Sequence, residues 1–193
     1  VGIVRYRVSG WNGPAADPAV DLHAILNQQR EEFARVALIG HSLGARAVLR
    51  CSRHPVVVGS LALSPWVPED EPPLAVSAKP VFLVTGSRDT LTPTSESRQF
   101  VIASRSAGAQ VGYVEVDGGG HSLLTRSREV SEFVRRFLHH TLSGGDPYIA
   151  GLLSSEPTRA PDYADRVDSA YRRVEGIVEV GWAMATLGRV RSG

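Results

Sequence analysis

A chain of 193 residues, 42% of them hydrophobic, is long enough to bury one sizeable core and tight for two. Its formal net charge is +1 and its basic and acidic residues are interspersed, which excludes the electrostatic footprint of a nucleic-acid binder. No apolar run reaches the roughly 18 residues of a membrane span, and no charged start with an apolar stretch and cleavage site marks a leader, so a cytoplasmic location is the default expectation.

In chain order, apolar runs alternate with helix-prone stretches. The pattern predicts strands over 1–8, 36–39, 56–63, 81–85 and 110–116, and helices over 19–33, 45–53, 94–107 and 126–141. Such alternation implies an α/β architecture with a mostly parallel sheet and helices on both faces. Ligands of such sheets bind beyond the carboxyl ends of the strands. That edge is where the chemistry-bearing residues fall.

The second predicted strand runs into Gly40-His41-Ser42-Leu43-Gly44 and then a helix, the context in which a G-x-S-x-G serine becomes a nucleophile. Glycines flank the serine because the turn is sharp and side chains there would collide with the adjoining strand or helix. The strand over 81–85 leads into Gly86-Ser87-Arg88-Asp89-Thr90, and the strand over 110–116 into Asp117-Gly118-Gly119-Gly120-His121. Ser42, Asp89 and His121 therefore each follow a strand end. A serine hydroxyl needs a neighbouring base, histidine titrates near neutrality, and a carboxylate can fix the imidazole tautomer. Asp89 is also good turn chemistry, a role compatible with orienting a histidine. Glu69, Asp70 and Asp117 are the competing acids, with Asp117 better suited to capping the turn before Gly118.

The order serine, acid, histidine at successive strand ends resembles the α/β-hydrolase family, and the resemblance covers residue 1 to about 142. It looks most like small, lidless bacterial hydrolases of the esterase and dienelactone-hydrolase type. The resemblance implies Ser42 as nucleophile, His121 as general base and acid, Asp89 as orienter and the Leu43 N–H as an oxyanion donor. Hydrolysis of a small ester-like substrate through an acyl-enzyme is expected, with no metal and no organic cofactor. The alternative is a catalytically impaired hydrolase-like protein that serves as a binding module. Only residues 64–80 separate two predicted strands, too few for a helical lid.

Trp66, in Ser64-Pro65-Trp66-Val67-Pro68, is either a wall of the substrate pocket or a cover for the sheet edge, and Trp11, in Gly10-Trp11-Asn12-Gly13, reads the same way. His41 should pack or hydrogen-bond locally, while His23, His54, His139 and His140 read as surface or helix-end residues. None has metal-ligand spacing. The single cysteine, Cys51, reads as a small buried hydrophobe. Lys79 is the one lysine among 21 basic residues, a bias that suggests a GC-rich bacterial genome.

Two departures from the family pattern bear on organisation. The family's preceding strand and its oxyanion loop are not found ahead of residues 5–13; this suggests a fragment of a longer reading frame, or a closed-up sheet with Asn12 and the backbone of 10–13 as the nearest second oxyanion donor. At the other end, the hydrolase core is expected to occupy 1–143, a linker 144–161 and a helical extension 162–193, with a helix over 162–187. That helix either docks on the core or forms a homodimer or partner contact. A small-molecule substrate is the expected partner, with no nucleic acid and no membrane.

Overall fold

The computed structural model describes residues 1–155 and 186–189. Four parallel strands form its centre: β2 (Val36–His41), β3 (Val57–Leu63), β4 (Ser77–Gly86) and β5 (Ala109–Val116), side by side in that order. Between them run α2 (Leu43–Cys51) and α3 (Thr94–Ser106), with α1 (Asp17–Gln29) before the group and α4 (Ser127–Ser143) and α5 (Pro147–Ser154) after it. The expected mostly parallel sheet with helices on both faces is what forms.

Strand periodicity distributes the core. Ala37, Ile39, Leu61, Leu63, Phe82, Val84 and Val114 pack toward Phe133 and Phe137 of α4 and Ile149 of α5. Their neighbours Val36 and Leu38 face Leu22 and Leu26 of α1 and Ala47 and Val48 of α2. Ala62, Val81, Leu83, Val111 and Tyr113 face α2 and Phe100 and Val101 of α3. Both faces are buried, which is why these strands read as continuous apolar runs.

Three expectations change. The strand over 1–8 shrinks to β1 (Gly2–Ile3), because the chain beyond it turns inward: Val4 and Trp11 join the core, and the Arg7 N–H donates to Asp21 Oδ2 at 2.9 Å in place of a ladder partner. The stretch read as linker contains α5, whose N-terminus is capped by Asp146; its Oδ1 accepts the N–H groups of Tyr148 and Ile149 at 3.0 and 3.2 Å. Gly144-Gly145 punctuates as a loop, but Asp-Pro is equally the start signal of a helix. Of the helix expected over 162–187, residues 162–185 lie outside the described residues, and Thr186 and Leu187 belong to a strand, β6 (Thr186–Arg189). It lies between β1 and β2 and is antiparallel to both, so the backbone groups along β2 on that side are paired by β6.

Candidate active site

The turn at the end of β2 puts Ser42 at φ 53° and ψ −118°, a backbone conformation that an L-residue rarely adopts. It is held from several sides. The Ser42 N–H donates to the Leu63 carbonyl at 2.9 Å, and its own carbonyl accepts from Ala45 and Arg46 at 3.1 and 3.3 Å. A Cβ at Gly40 would lie 2.4 Å from the Gly44 carbonyl oxygen, so the chain can double back this tightly only with glycine there. Leu43 is the first residue of α2, and an N–H at that position has no acceptor within its own helix.

The loops after β4 and β5 are equally close to each other. Arg88 N–H donates to the Gly119 carbonyl at 2.8 Å and Ser87 N–H to the Val116 carbonyl at 3.0 Å. A Cβ on Gly86 would come within 2.3 Å of the Gly119 oxygen. This contact sets Asp89 beside His121.

Nδ1 of His121 lies 2.9 Å from Asp89 Oδ2, and Nε2 lies 3.0 Å from Ser42 Oγ. Facing a carboxylate, Nδ1 carries the proton, which leaves Nε2 as the acceptor for the serine hydroxyl. The three residues that sequence order brought forward therefore form one hydrogen-bonded line. The Asp89 side chain is fully buried, whereas that of His121 keeps 20% of its exposure. Burial alone would raise the carboxyl's pKa, but hydrogen bonds from the hydroxyl and N–H of Thr92, from His121 and from the Leu91 N–H outweigh it and hold it below the ordinary aspartate value.

Other residues complete the surroundings. The Nε2–H of His41 donates to the His121 carbonyl at 2.8 Å, and the two rings stand 5.0 Å apart. Burial, reinforced by the charge of His121, holds the His41 pKa below the usual histidine value despite that hydrogen bond and the pull of Asp89. Trp66 donates its N–H to the Ser42 carbonyl at 3.4 Å and remains 37% exposed. Trp11 is buried, edge-on to Trp66 at 6.3 Å, and the Arg46 guanidinium stacks on both rings at 4.1 and 4.5 Å. Asn12 points its amide elsewhere, donating to Asp17 Oδ2 at 2.5 Å. Glu69 and Asp70 are exposed, and Asp117 receives a hydrogen bond from Ser87 Oγ at 3.3 Å.

Sequence reasoning passed over Thr92, Arg46 and Glu71. Thr92, three residues after Asp89 and just before Pro93, had a detectable signal as a turn-closing hydroxyl. Arg46 is one helical turn beyond Ser42 on a helix whose other residues, Arg50 apart, are uncharged, which marks it as needing a partner; nothing local names Glu71, 25 residues on, as that partner. Among the described residues, no group of three His, Cys, Asp or Glu side chains could hold a metal ion, and no helix is long and apolar enough to cross a membrane.

A parallel sheet flanked by helices, with a strained serine, a histidine and an aspartate joined at its carboxyl edge, defines an α/β hydrolase. Residues 39–143 match the model of the family described as TAP-like protein, and the chain belongs to that family of α/β hydrolases. Similar solved structures include an α/β serine hydrolase homologue from Coxiella burnetii (24% identity, TM-score 0.55, covering 70% of this chain and 64% of that one). A Bacillus cereus carboxylesterase has 22% identity and TM-score 0.53 over 68% of this chain and 67% of that one. An esterase of Pyrococcus furiosus has 20% identity and TM-score 0.57 over 70% and 65%. At these identities the likeness is one of fold. No curated relative matches the chain.

Proposed function

We propose that this chain is a serine hydrolase that cleaves a small, uncharged ester-like substrate, a carboxylic ester or thioester, through an acyl-enzyme. The observation that carries this reading is the unbroken hydrogen-bonded line from Asp89 through His121 to Ser42. Nε2 of His121 takes the hydroxyl proton as Ser42 Oγ attacks the carbonyl carbon. The resulting oxyanion is met by the N–H of Leu43. The imidazolium, stabilised by the ionised Asp89, gives its proton to the leaving oxygen or sulfur, and the acyl group stays on Ser42. Water then repeats the sequence: His121 removes its proton, the acid is released and Ser42 regains its hydrogen. No step calls for a metal or an organic cofactor.

An uncharged substrate is supported by three exposed apolar side chains on segments that follow β3, β4 and β5: Trp66, Leu91 at 71% exposure and Leu124 at 52%. Titration with a fluorophosphonate should label wild type with one equivalent and leave Ser42→Ala unmodified, and wild type should turn over a short p-nitrophenyl ester. A folded wild-type protein that neither labels nor turns over such an ester would refute the reading.

A further inference from the structure

We propose that Thr92 is a positioning residue for this hydrolysis, its hydroxyl acting as the third partner of the Asp89–His121 pair; the inference rests on the function proposed above. The carboxylate is saturated by four donors. Oδ1 accepts the N–H groups of Leu91 and Thr92, both at 2.9 Å. Oδ2 accepts Nδ1–H of His121 at 2.9 Å and the Thr92 hydroxyl at 2.7 Å. Three of the four come from the turn that Thr92 closes, so one residue fixes both carboxylate oxygens.

The hydroxyl also lies 3.2 Å from Nδ1 of His121. Nδ1 already bears a hydrogen, and the shorter contact is to Oδ2, so the hydroxyl proton goes to the carboxylate and its oxygen faces Nδ1–H as a second acceptor. The imidazole proton is thus shared between Oδ2 and Oγ1. The Ser64 carbonyl lies 3.4 Å from Oγ1, and Thr92 is 4% exposed, so solvent has little access to replace these bonds. The side chain is also stiff. Threonine is branched at Cβ, and the following Pro93 restricts its backbone to extended conformations.

Removing the hydroxyl has two separable effects. Asp89 loses a donor and Nδ1–H loses its second acceptor, changes of opposite sign for the basicity of His121; the first is the larger, its contact being shorter (2.7 against 3.2 Å) and made to a charged oxygen, so the acid limb of the pH profile moves upward. The carboxylate plane also loses an anchor, and alignment of the imidazole suffers in the transition state more than in the bound substrate. Among the described residues, the titratable groups facing the His121 ring are Asp89, from the loop after β4, and His41, the last residue of β2. A substitution at Thr92 leaves both in place.

The test compares wild type, Thr92→Val and Thr92→Ser for p-nitrophenyl acetate hydrolysis and fluorophosphonate labelling across pH. Valine keeps the branched shape without the hydroxyl. It should lower kcat about tenfold, roughly the worth of one hydrogen bond, with KM unchanged. It should also move the acid limb of kcat/KM and of the labelling rate up by about half a pH unit. Serine restores the hydroxyl and should track wild type in both readouts. If valine disturbs the fold, as a thermal melt would reveal, Thr92→Ala takes its place in the same comparison. The NMR resonance of the His121 Nδ1 proton supplies a readout independent of turnover and should shift in the valine variant alone. A valine variant with the wild-type pH profile and the wild-type proton resonance overturns the role of Thr92 and leaves the hydrolase reading standing. A folded wild type that neither labels nor turns over brings down both.

Discussion

Two buried carboxylates, Asp89 and Glu71, have opposite kinds of partner. Asp89 is held by backbone N–H groups, a hydroxyl and one half-buried imidazole whose far nitrogen faces the serine. Glu71 is closed in by cations. It pairs with Arg46 at 2.5 Å and with Arg50, and Arg46 lies against the two tryptophan rings. Every partner of Glu71 is a permanent charge that cannot give up a proton near neutrality. In the hydrolysis proposed above, a buried carboxylate serves chemistry because its imidazole partner has a second end free. Paired with guanidinium groups, it serves to lock neighbouring side chains in place.

The contrast predicts that the two clusters separate activity from stability. The largest effect belongs to Ser42→Ala, which should lower ester turnover by about six orders of magnitude. Its urea midpoint should stay near that of wild type, because little packing is lost. Asp89→Asn comes next, with turnover reduced about 10⁴-fold through the wrong imidazole tautomer. An asparagine variant with near wild-type kcat would mean that Asp89 is a turn former alone.

On the other side, Glu71→Ala leaves Arg46 buried without its counter-charge and should cost about 3–5 kcal/mol in urea unfolding. Replacing the pair together, Arg46→Met with Glu71→Leu, should recover most of that loss, since an apolar pair carries no desolvation penalty. A Glu71→Ala protein as stable as wild type would erase the distinction, making Glu71 as dispensable as an exposed acid.

These two clusters also differ in how readable they were. Ser42, Asp89 and His121 each follow a short apolar run, so strand periodicity and glycine placement located them without any distance information. The sheet was legible for the same reason: β2, β3, β4 and β5 are buried on both faces and written as runs of apolar residues. Arg46 and Glu71 carry no such local signature, because an ion pair across 25 residues is specified by tertiary packing alone. The start of the chain was misread for a related cause. Residues 1–8 alternate like a strand, but Asp21 on α1 takes the Arg7 N–H, and a side chain that captures a backbone donor overrides a pairing pattern. At α5, one Asp-Pro dipeptide outweighed two glycines, and composition could not show which would prevail.

The same contrast between partnered and unpartnered buried groups extends to the histidines. His121 has Asp89 beside it. His54, read as a surface or helix-end residue, lies just past the end of α2 and is buried at 7% exposure, with Nε2 against Asn27 Oδ1 at 3.1 Å and no partner for Nδ1. Its surroundings are cationic or neutral: the ring of His23 stands 5.1 Å away, Lys79 donates to the His54 carbonyl at 2.6 Å, and Arg30 adds further positive charge. Burial first, and these charges second, hold its pKa below the ordinary 6.5, and His41 is shifted in the same direction. As pH falls below about 6.5 the unfolded chain therefore binds protons that the folded one refuses, so stability is full above that pH and declines beneath it until the folded pKa values are passed. The carboxylates with lowered values, Asp21, Asp89 and Glu132, titrate in a more acidic window, which leaves pH 7.5 to 5.5 to the histidines. Melting temperature should drop across that interval, and His54→Gln, which retains a donor toward Asn27 but cannot titrate, should shrink the drop. Equal drops in the two proteins would mean that the missing carboxylate beside His54 is of no thermodynamic consequence, and that what sets His121 apart is its access to Ser42 rather than its charged neighbour.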